Sequence, residues 1–192
     1  MIGRKRSTLF AMPRVSIDID VIVTTALAVV DAEGPDALSL SSVARELGVG
    51  PSALYTHVDG LRGLHEAAAA AATRQLASRL RDAAIGRGGD DAIHAVAVAY
   101  RGYTVDHPGR LVSLLRVDAG EAIAEATAEL DGVFALLGVA RGLDRRDADR
   151  VGRHVRRAIH GFVVSERHGD TSPDDDYADF VTALCRMLDP QL

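Results

Sequence analysis

The chain has no tryptophan, one lysine (Lys5) and one cysteine (Cys185) in 192 residues. A lone thiol excludes an internal disulfide and a cysteine-based zinc cluster, and it fits a reducing compartment. Only 4% of residues are aromatic, so a core must be built mainly from aliphatic side chains. No uninterrupted apolar run reaches the roughly 18 residues of a membrane-spanning helix. The charged opening MIGRKRSTLF is followed by neither the apolar stretch nor the small-residue cleavage site of a secretory leader. The expected location is therefore the cytoplasm. Sustained apolar–polar alternation is also missing, and with it the expectation of a sheet.

Acidic residues outnumber basic ones 27 to 22, for a net charge of −5. Such a balance argues against a broadly basic nucleic-acid surface. The first 60 residues hold five cations (Arg4, Lys5, Arg6, Arg14 and Arg45) against seven carboxylates, so this part is not basic either. Four of those five cations precede the first helix. They read either as a basic arm that tracks phosphates or as a solubilising terminus.

What the chain does have is helical periodicity along its length. Ser16 is placed to cap a first helix, with Asp18 and Asp20 in its first turn. Ile19, Ile22, Val23, Ala26, Leu27 and Val30 form one apolar stripe, and Gly34-Pro35 ends the helix with glycine as a left-handed cap. Ser39 opens a second helix whose inward side is Leu40, Val43, Ala44 and Leu47, and Gly48 makes the turn after it. Pro51 occupies the first position of a third helix, with Leu54 and Val58 inward. An alanine-rich fourth helix begins near Leu61, spans about 24 residues or roughly 36 Å, and breaks at Gly86-Arg87-Gly88-Gly89. No strand precedes these glycines and no Gly-Lys-Ser/Thr follows, so they form a loop rather than a phosphate cradle. Further helices are expected over Asp91–His107, Pro108–Leu115, Glu121–Leu137 (stopped by Gly138), Arg145–His168 and Tyr177–Leu188. The expected fold is all-α. A helix-turn-helix domain with its N-terminal arm covers residues 1–60, and a C-terminal helical domain covers 61–192.

The third helix is more polar than packing requires. With Leu54 and Val58 inward, Pro51, Ser52, Ala53, Tyr55, Thr56 and His57 are left for solvent or a partner. Two short helices joined by Gly48-Val49-Gly50 are the geometry that presents one helix to the major groove of DNA. Ser52 and Thr56 have hydroxyls that reach base edges, and Ala53 suits a thymine methyl. Tyr55 and His57 reach further and suit phosphate oxygens, which position without specifying.

On these residues the chain resembles the TetR family of bacterial one-component regulators. The match runs through Ala26-Leu27 to Gly34, Leu40-x-x-Val43-Ala44-x-x-Leu47-Gly48-Val49, then Ala53-Leu54-Tyr55-x-His57-Val58 and Leu64. Tyr100 to His107-Pro108 is similar to the family's Tyr…His-Pro junction. His160-Gly161-Phe162 is loosely similar to the WHG-domain subgroup, with Ile159 where that pattern has tryptophan. Two departures stand out. Asp59-Gly60-Leu61 replaces a phosphate-contacting lysine, so that this contact comes from Arg62 or is missing, and Gly50 replaces a Ser or Thr cap.

The resemblance implies a homodimeric transcriptional regulator without cofactor or enzymatic activity, in which residues 61–192 are the ligand-binding and dimerisation domain. It implies a ligand-responsive repressor that releases a palindromic double-stranded DNA operator when a small-molecule effector binds. The DNA-contacting residues are then Arg4, Lys5, Arg6, Ser39, Ser41, Pro51, Ser52, Ala53, Tyr55, Thr56, His57 and Arg62. The last two helices pair with a second subunit as a four-helix bundle through Val155, Ile159, Phe162, Phe180, Val181, Leu184 and Leu188, although intramolecular packing competes for the same stripes. Tyr100, Tyr103, His107, Phe134, His160 and Phe162 are candidates to line an effector pocket, and Arg116 to meet an anionic effector.

His154, His160 and His168 are spaced by six and eight, which puts no two on one helical face, so no preformed metal site is expected. No G-x-S-x-G is present, and no paired carboxylates lie near a histidine on adjacent turns, which counts against an enzyme. The competing reading is a small-molecule-binding helical dimer whose DNA reader is weakened or lost, suggested by Leu61 and the acidic balance.

Overall fold

A computed structural model describes residues 17–110, 120–170 and 175–188, and every regular element among them is helical. Arg4, Lys5, Arg6, Arg14, Ser16 and Arg116 lie outside the described residues, as does most of the helix expected over Pro108–Leu115.

The cap of α1 (Ile19–Glu33) is Asp18, two residues later than the expected Ser16. Its carboxylate accepts the Val21 N–H at 2.9 Å, so this acid closes the helix end itself. Ile22, Ala26, Leu27 and Val30 are buried, whereas Ile19 at the head of the stripe is 40% exposed. Gly34 ends α1 with φ +90° and ψ 167°, an extended glycine conformation rather than the left-handed helical cap expected.

In α2 (Leu40–Leu47), Ser39 Oγ accepts the Ser42 N–H at 3.0 Å and Ser42 Oγ accepts the Ser39 N–H at 2.9 Å. This is a reciprocal cap with serine in the place usually taken by Glu or Gln. Gly48, at φ +67°, donates to Arg45 O while Val49 donates to Ala44 O, which satisfies the last carbonyls of α2. The segment Pro51–Thr56 is a 3-10 helix, not the α-helix expected. Gly50 offers no side-chain cap, and i→i+3 bonds suit a piece this short: Ala53 N–H reaches Gly50 O at 3.0 Å and His57 N–H reaches Leu54 O at 2.9 Å.

One helix serves two cores. In α3 (Gly60–Ala84), Leu64, Ala68 and Ala72 pack with α1, α2, Leu54 and Val58. Further along, Leu76, Ala77 and Leu80 join the second core. Its 25 residues extend about 37 Å at 1.5 Å per residue, and the alanine run favours a stiff rod.

The second core is completed by α4 (Gly89–Asp106), α5 (Glu121–Ala140), α6 (Arg145–Arg167) and α7 (Asp175–Met187). Helix α5 runs through Gly138 instead of stopping there, because that glycine is a packing residue. A Cβ at Gly138 would lie 3.1 Å from Ala148 Cβ, and one at Gly152 would lie 2.8 Å from Ala135 N. The absent side chains let α5 and α6 approach, and the chain turns later, at Gly142 with φ +92°.

Five residues expected at a subunit contact face this chain's own core. Val155, Ile159, Val181, Leu184 and Leu188 are each at most 2% exposed. These five pack within the second core, while other residues of the same two helices reach the surface. Phe162 and Phe180 are half-buried and stack on each other with ring centroids 4.5 Å apart.

Candidate nucleic-acid interface

Leu54 and Val58 are buried and pin the 3-10 segment to the first core. Between and before them Pro51, Ser52, Tyr55, Thr56 and His57 are exposed, with Ala53 half-buried. Tyr55 is 61% exposed, which leaves most of its ring open to solvent. Thr56 Oγ1 donates to Ala53 O at 3.1 Å, so its hydrogen is used locally and its oxygen remains an acceptor. Ser41 is exposed, while Ser39 is half-buried with its hydroxyl engaged in the α2 cap.

The two arginines described in this region are both paired. Arg62 lies 3.2 Å from Asp59, and Arg45 lies 3.0 Å from Glu33 and 3.2 Å from Glu46. All these side chains are about half exposed or more, so each pair contributes at most about 1 kcal/mol and can open toward another anion.

A polar cluster joins this region to the rest of the molecule. Arg110, largely buried, donates from Nε to Asp31 Oδ1 at 2.9 Å and from Nη2 to Asp31 Oδ2 at 2.5 Å. Its Nη1 donates to Gln75 Oε1 at 2.5 Å and to Tyr103 Oη at 3.3 Å. His107 Nδ1 is 3.1 Å from Asp31 Oδ2, and the Tyr103 hydroxyl donates to Ala72 O at 3.0 Å. Helices α1, α3 and α4 therefore meet at one guanidinium. Burial alone would lower the pKa of Arg110, but the hydrogen bonds to Asp31 and Tyr103 outweigh it and raise it. Burial raises the Tyr103 pKa, with Arg110 opposing. From the end of α6, Arg167 donates to Pro108 O at 2.6 Å, two residues before Arg110. Sequence reasoning missed Asp31, Gln75 and Arg110. The one signal was an arginine two residues past His107-Pro108.

The six residues expected around an effector fall in different places. Tyr103 and His107 belong to the Arg110 cluster. Tyr100 Oη lies 3.0 Å from His160 Nδ1 across α4 and α6. Burial pushes the Tyr100 pKa up to about 12, and burial together with nearby Arg156 lowers that of His160. A neutral imidazole accepting from the tyrosine hydroxyl satisfies both groups. Phe134 is buried in the same core. Phe162 instead faces α7, against Tyr177 and Phe180. Burial also raises the Cys185 pKa, which keeps it a thiol. Among the described residues, no group of three His, Cys, Asp or Glu is arranged to hold a metal ion, and no helix is long and apolar enough to cross a membrane.

Residues 93–188 match the family model described as the tetracycline-repressor-like C-terminal domain. A helix-turn-helix transcriptional regulator of Mycobacterium tuberculosis, Rv0681, is 35% identical over 170 residues, covering 86% of this chain and 78% of its own. Among solved structures, BioQ in complex with its double-stranded DNA operator superposes with a TM-score of 0.67 at 22% identity, over 90% of this chain and 98% of that one. A TetR variant from Acinetobacter baumannii in complex with minocycline superposes with a TM-score of 0.64 at 20% identity, over 90% of this chain and 95% of that one. These two likenesses concern the fold.

Proposed function

Because the chain belongs to the TetR family of transcriptional regulators, we propose that it is a cytoplasmic, ligand-responsive repressor that leaves a palindromic operator when a small molecule binds its C-terminal domain. The observation that carries this reading is α3, one stiff helix whose start abuts the reader and whose end lies in the second core. A displacement in the second core moves the reader with it. The Arg110 cluster supplies a second tie between the two cores, through Asp31 of α1. The relatives bound to an operator and to minocycline support the same two roles here. The division at Gly60 is kept as a functional one, with α3 as the shared spine.

DNA contact is assigned to Ser39, Ser41, Pro51, Ser52, Ala53, Tyr55, Thr56, His57 and Arg62, with Arg4, Lys5 and Arg6 as a phosphate-tracking arm. Tyr100, Phe134 and His160 remain the interior candidates for effector sensing, while Tyr103 and His107 act in transmission. For the dimer, the pairing surface is the outer side of α6 and α7. There His154, Gly161, Ala183 and Met187 are exposed and Ala158, Phe162 and Phe180 half-buried. Small residues at this face let two copies approach closely. A two-fold pair then sets the readers about one DNA turn apart, roughly 34–36 Å.

A second reading has one observation in its favour. Leu61 is 46% exposed where a lysine is expected, and Arg62 is already paired with Asp59. This suits a dimer whose DNA affinity has decayed. A gel-shift titration with DNA upstream of the protein's own gene separates the two. Sequence-specific retardation supports the regulator, and affinity no better than for unrelated duplex supports the decayed reader.

A further inference from the structure

At the opposite end of α3 from the reader lies a cleft of about 260 Å3. Its walls are aliphatic, with Ala84 and Ile85 from the end of α3, Ala92 from α4, and Val133, Leu136 and Leu137 from α5. The charged residues among its lining are Arg81 and Arg87, both basic, in a chain of net charge −5. Arg87 Nη1 donates to Ala83 O at 2.7 Å, and both guanidinium-bearing side chains border the cleft. The nearby carboxylate of Asp90 is already held by Arg141. Ile85 is 72% exposed and Leu136 58% exposed at this opening. Large aliphatic side chains gathered at a concave site, and rimmed by guanidinium groups, mark a binding surface rather than scattered exposure.

We infer that this cleft binds a small amphiphile with a single anionic head, the head meeting Arg81 and Arg87 and the apolar body lying on Ile85 and Leu136. At roughly 30 Å3 per water-sized group, the 260 Å3 cleft admits about nine such groups, the size of a carboxylic acid with about eight to ten carbons. The site is separate from the interior residues Tyr100, Phe134 and His160. It deepens the proposed function by naming an effector class, and it rests on that reading for its consequence at DNA alone. A body wedged against Ala84 and Ile85 pushes on the last turn of α3, whose first turn follows the reader.

Calorimetric titration of the full chain, without DNA, tests the site using decanoate below its micellar concentration and decanol as the uncharged comparator. One decanoate per chain is expected, with decanol at least about tenfold weaker, since it lacks the charge-assisted hydrogen bonds to the two guanidinium groups. The double variant Arg81→Gln/Arg87→Gln should lose about that factor for decanoate and keep its decanol affinity. Leu136→Asp, at a position exposed enough to fold normally, should remove both. Decanoate binding that is absent, or unaltered in both variants, overturns the proposal. So does a Leu136→Asp variant that changes oligomeric mass instead of decanoate affinity, because the patch is then a contact between copies. Specific operator binding without decanoate uptake removes this site and leaves the regulator reading intact. Decanoate uptake without DNA affinity does the reverse.

Discussion

Arg110 clasps Asp31 through two hydrogen bonds, and in doing so fastens α1 to the helical residues that follow α4. The Arg110 side chain is 10% exposed and that of Asp31 27%, so the pair sits between surface and interior. Removing one member of a buried pair costs about 3–5 kcal/mol, and the water-facing edge of Asp31 reduces this. Arg110→Met should therefore lose about 2–3 kcal/mol in urea unfolding, with Asp31→Asn losing less. Combined with Asp31→Asn it should show a coupling energy of at least about 1 kcal/mol. If the Arg110 cluster transmits the effector signal, Arg110→Met should also bind operator yet respond less to effector. Purely additive effects would show that the pair couples nothing.

Gly161 tests the subunit contact without disturbing the core. An added Cβ there meets nothing within 4 Å, so Gly161→Arg is tolerated by the single chain. Two-fold symmetry sets the same residue of each copy at the same interface, and the substitution brings like charges together in a closely packed face. The solution mass measured by light scattering should fall to one chain, and the melting temperature should cease to depend on protein concentration. Val155→Arg is the contrast. Val155 is fully buried, so that variant should unfold rather than dissociate. A Gly161→Arg dimer of unchanged affinity would place the contact elsewhere.

Both expectations depend on knowing which stripe faces which core, and here the sequence was only partly legible. Apolar periodicity located α1, α2, α3 and the later helices, and the turn glycines located the joints. Periodicity identifies a buried face but not what covers it. Val155 and Leu184 therefore looked equally suited to a partner subunit and to their own core. Gly138 resembled a helix stop because a glycine that permits close packing and one that ends a helix have the same sequence signature. Ser39 was legible as the start of α2, but its reciprocal partner Ser42 was not, because serine stands where Glu or Gln is expected. The Asp31–Arg110 clasp spans 79 residues of chain, and no local pattern reports such a distance. The outward residues of the reader were legible because two close anchors, Leu54 and Val58, fix which way the segment faces.

That reader makes a graded prediction. Tyr55 is 61% exposed, so Tyr55→Phe should leave unfolding unchanged and weaken operator binding by roughly 1 kcal/mol, about the net value of one hydrogen bond. Leu54→Ala should destabilise the fold by about 2–5 kcal/mol, and it weakens DNA binding only through that loss. Replacing Arg4, Lys5 and Arg6 with alanine should weaken binding to all sequences alike. The slope of log affinity against log salt should then fall by up to about 0.9 for each phosphate that the arm no longer neutralises. An unchanged slope would remove the arm from the interface, and an unchanged Tyr55→Phe titration would remove the phenol hydroxyl.

The Tyr100–His160 pair predicts a loss of stability in mild acid. Burial, with Arg156 nearby, holds the His160 pKa below its ordinary value, while an unfolded histidine titrates near 6.5. Between those two values the unfolded chain binds the extra proton and the folded chain does not, so stability rises with pH across that window. The contribution is complete above about pH 6.5 and is lost as pH falls toward the lowered folded pKa. The charged neighbours are Arg156 on the same helix, which repels the imidazolium, and Asp131 of α5, which pairs with Arg156 instead of with His160. Tyr100 of α4 donates to Nδ1 and favours the neutral ring. His160→Gln keeps an acceptor for the tyrosine and removes the titration. Its melting temperature should fall less than that of the parent chain from pH 7 to pH 5.5, a range above the ordinary carboxylate pKa values. An identical pH slope in the two proteins would mean that His160 takes up its proton as readily folded as unfolded, and that the interior around Tyr100 is open to water.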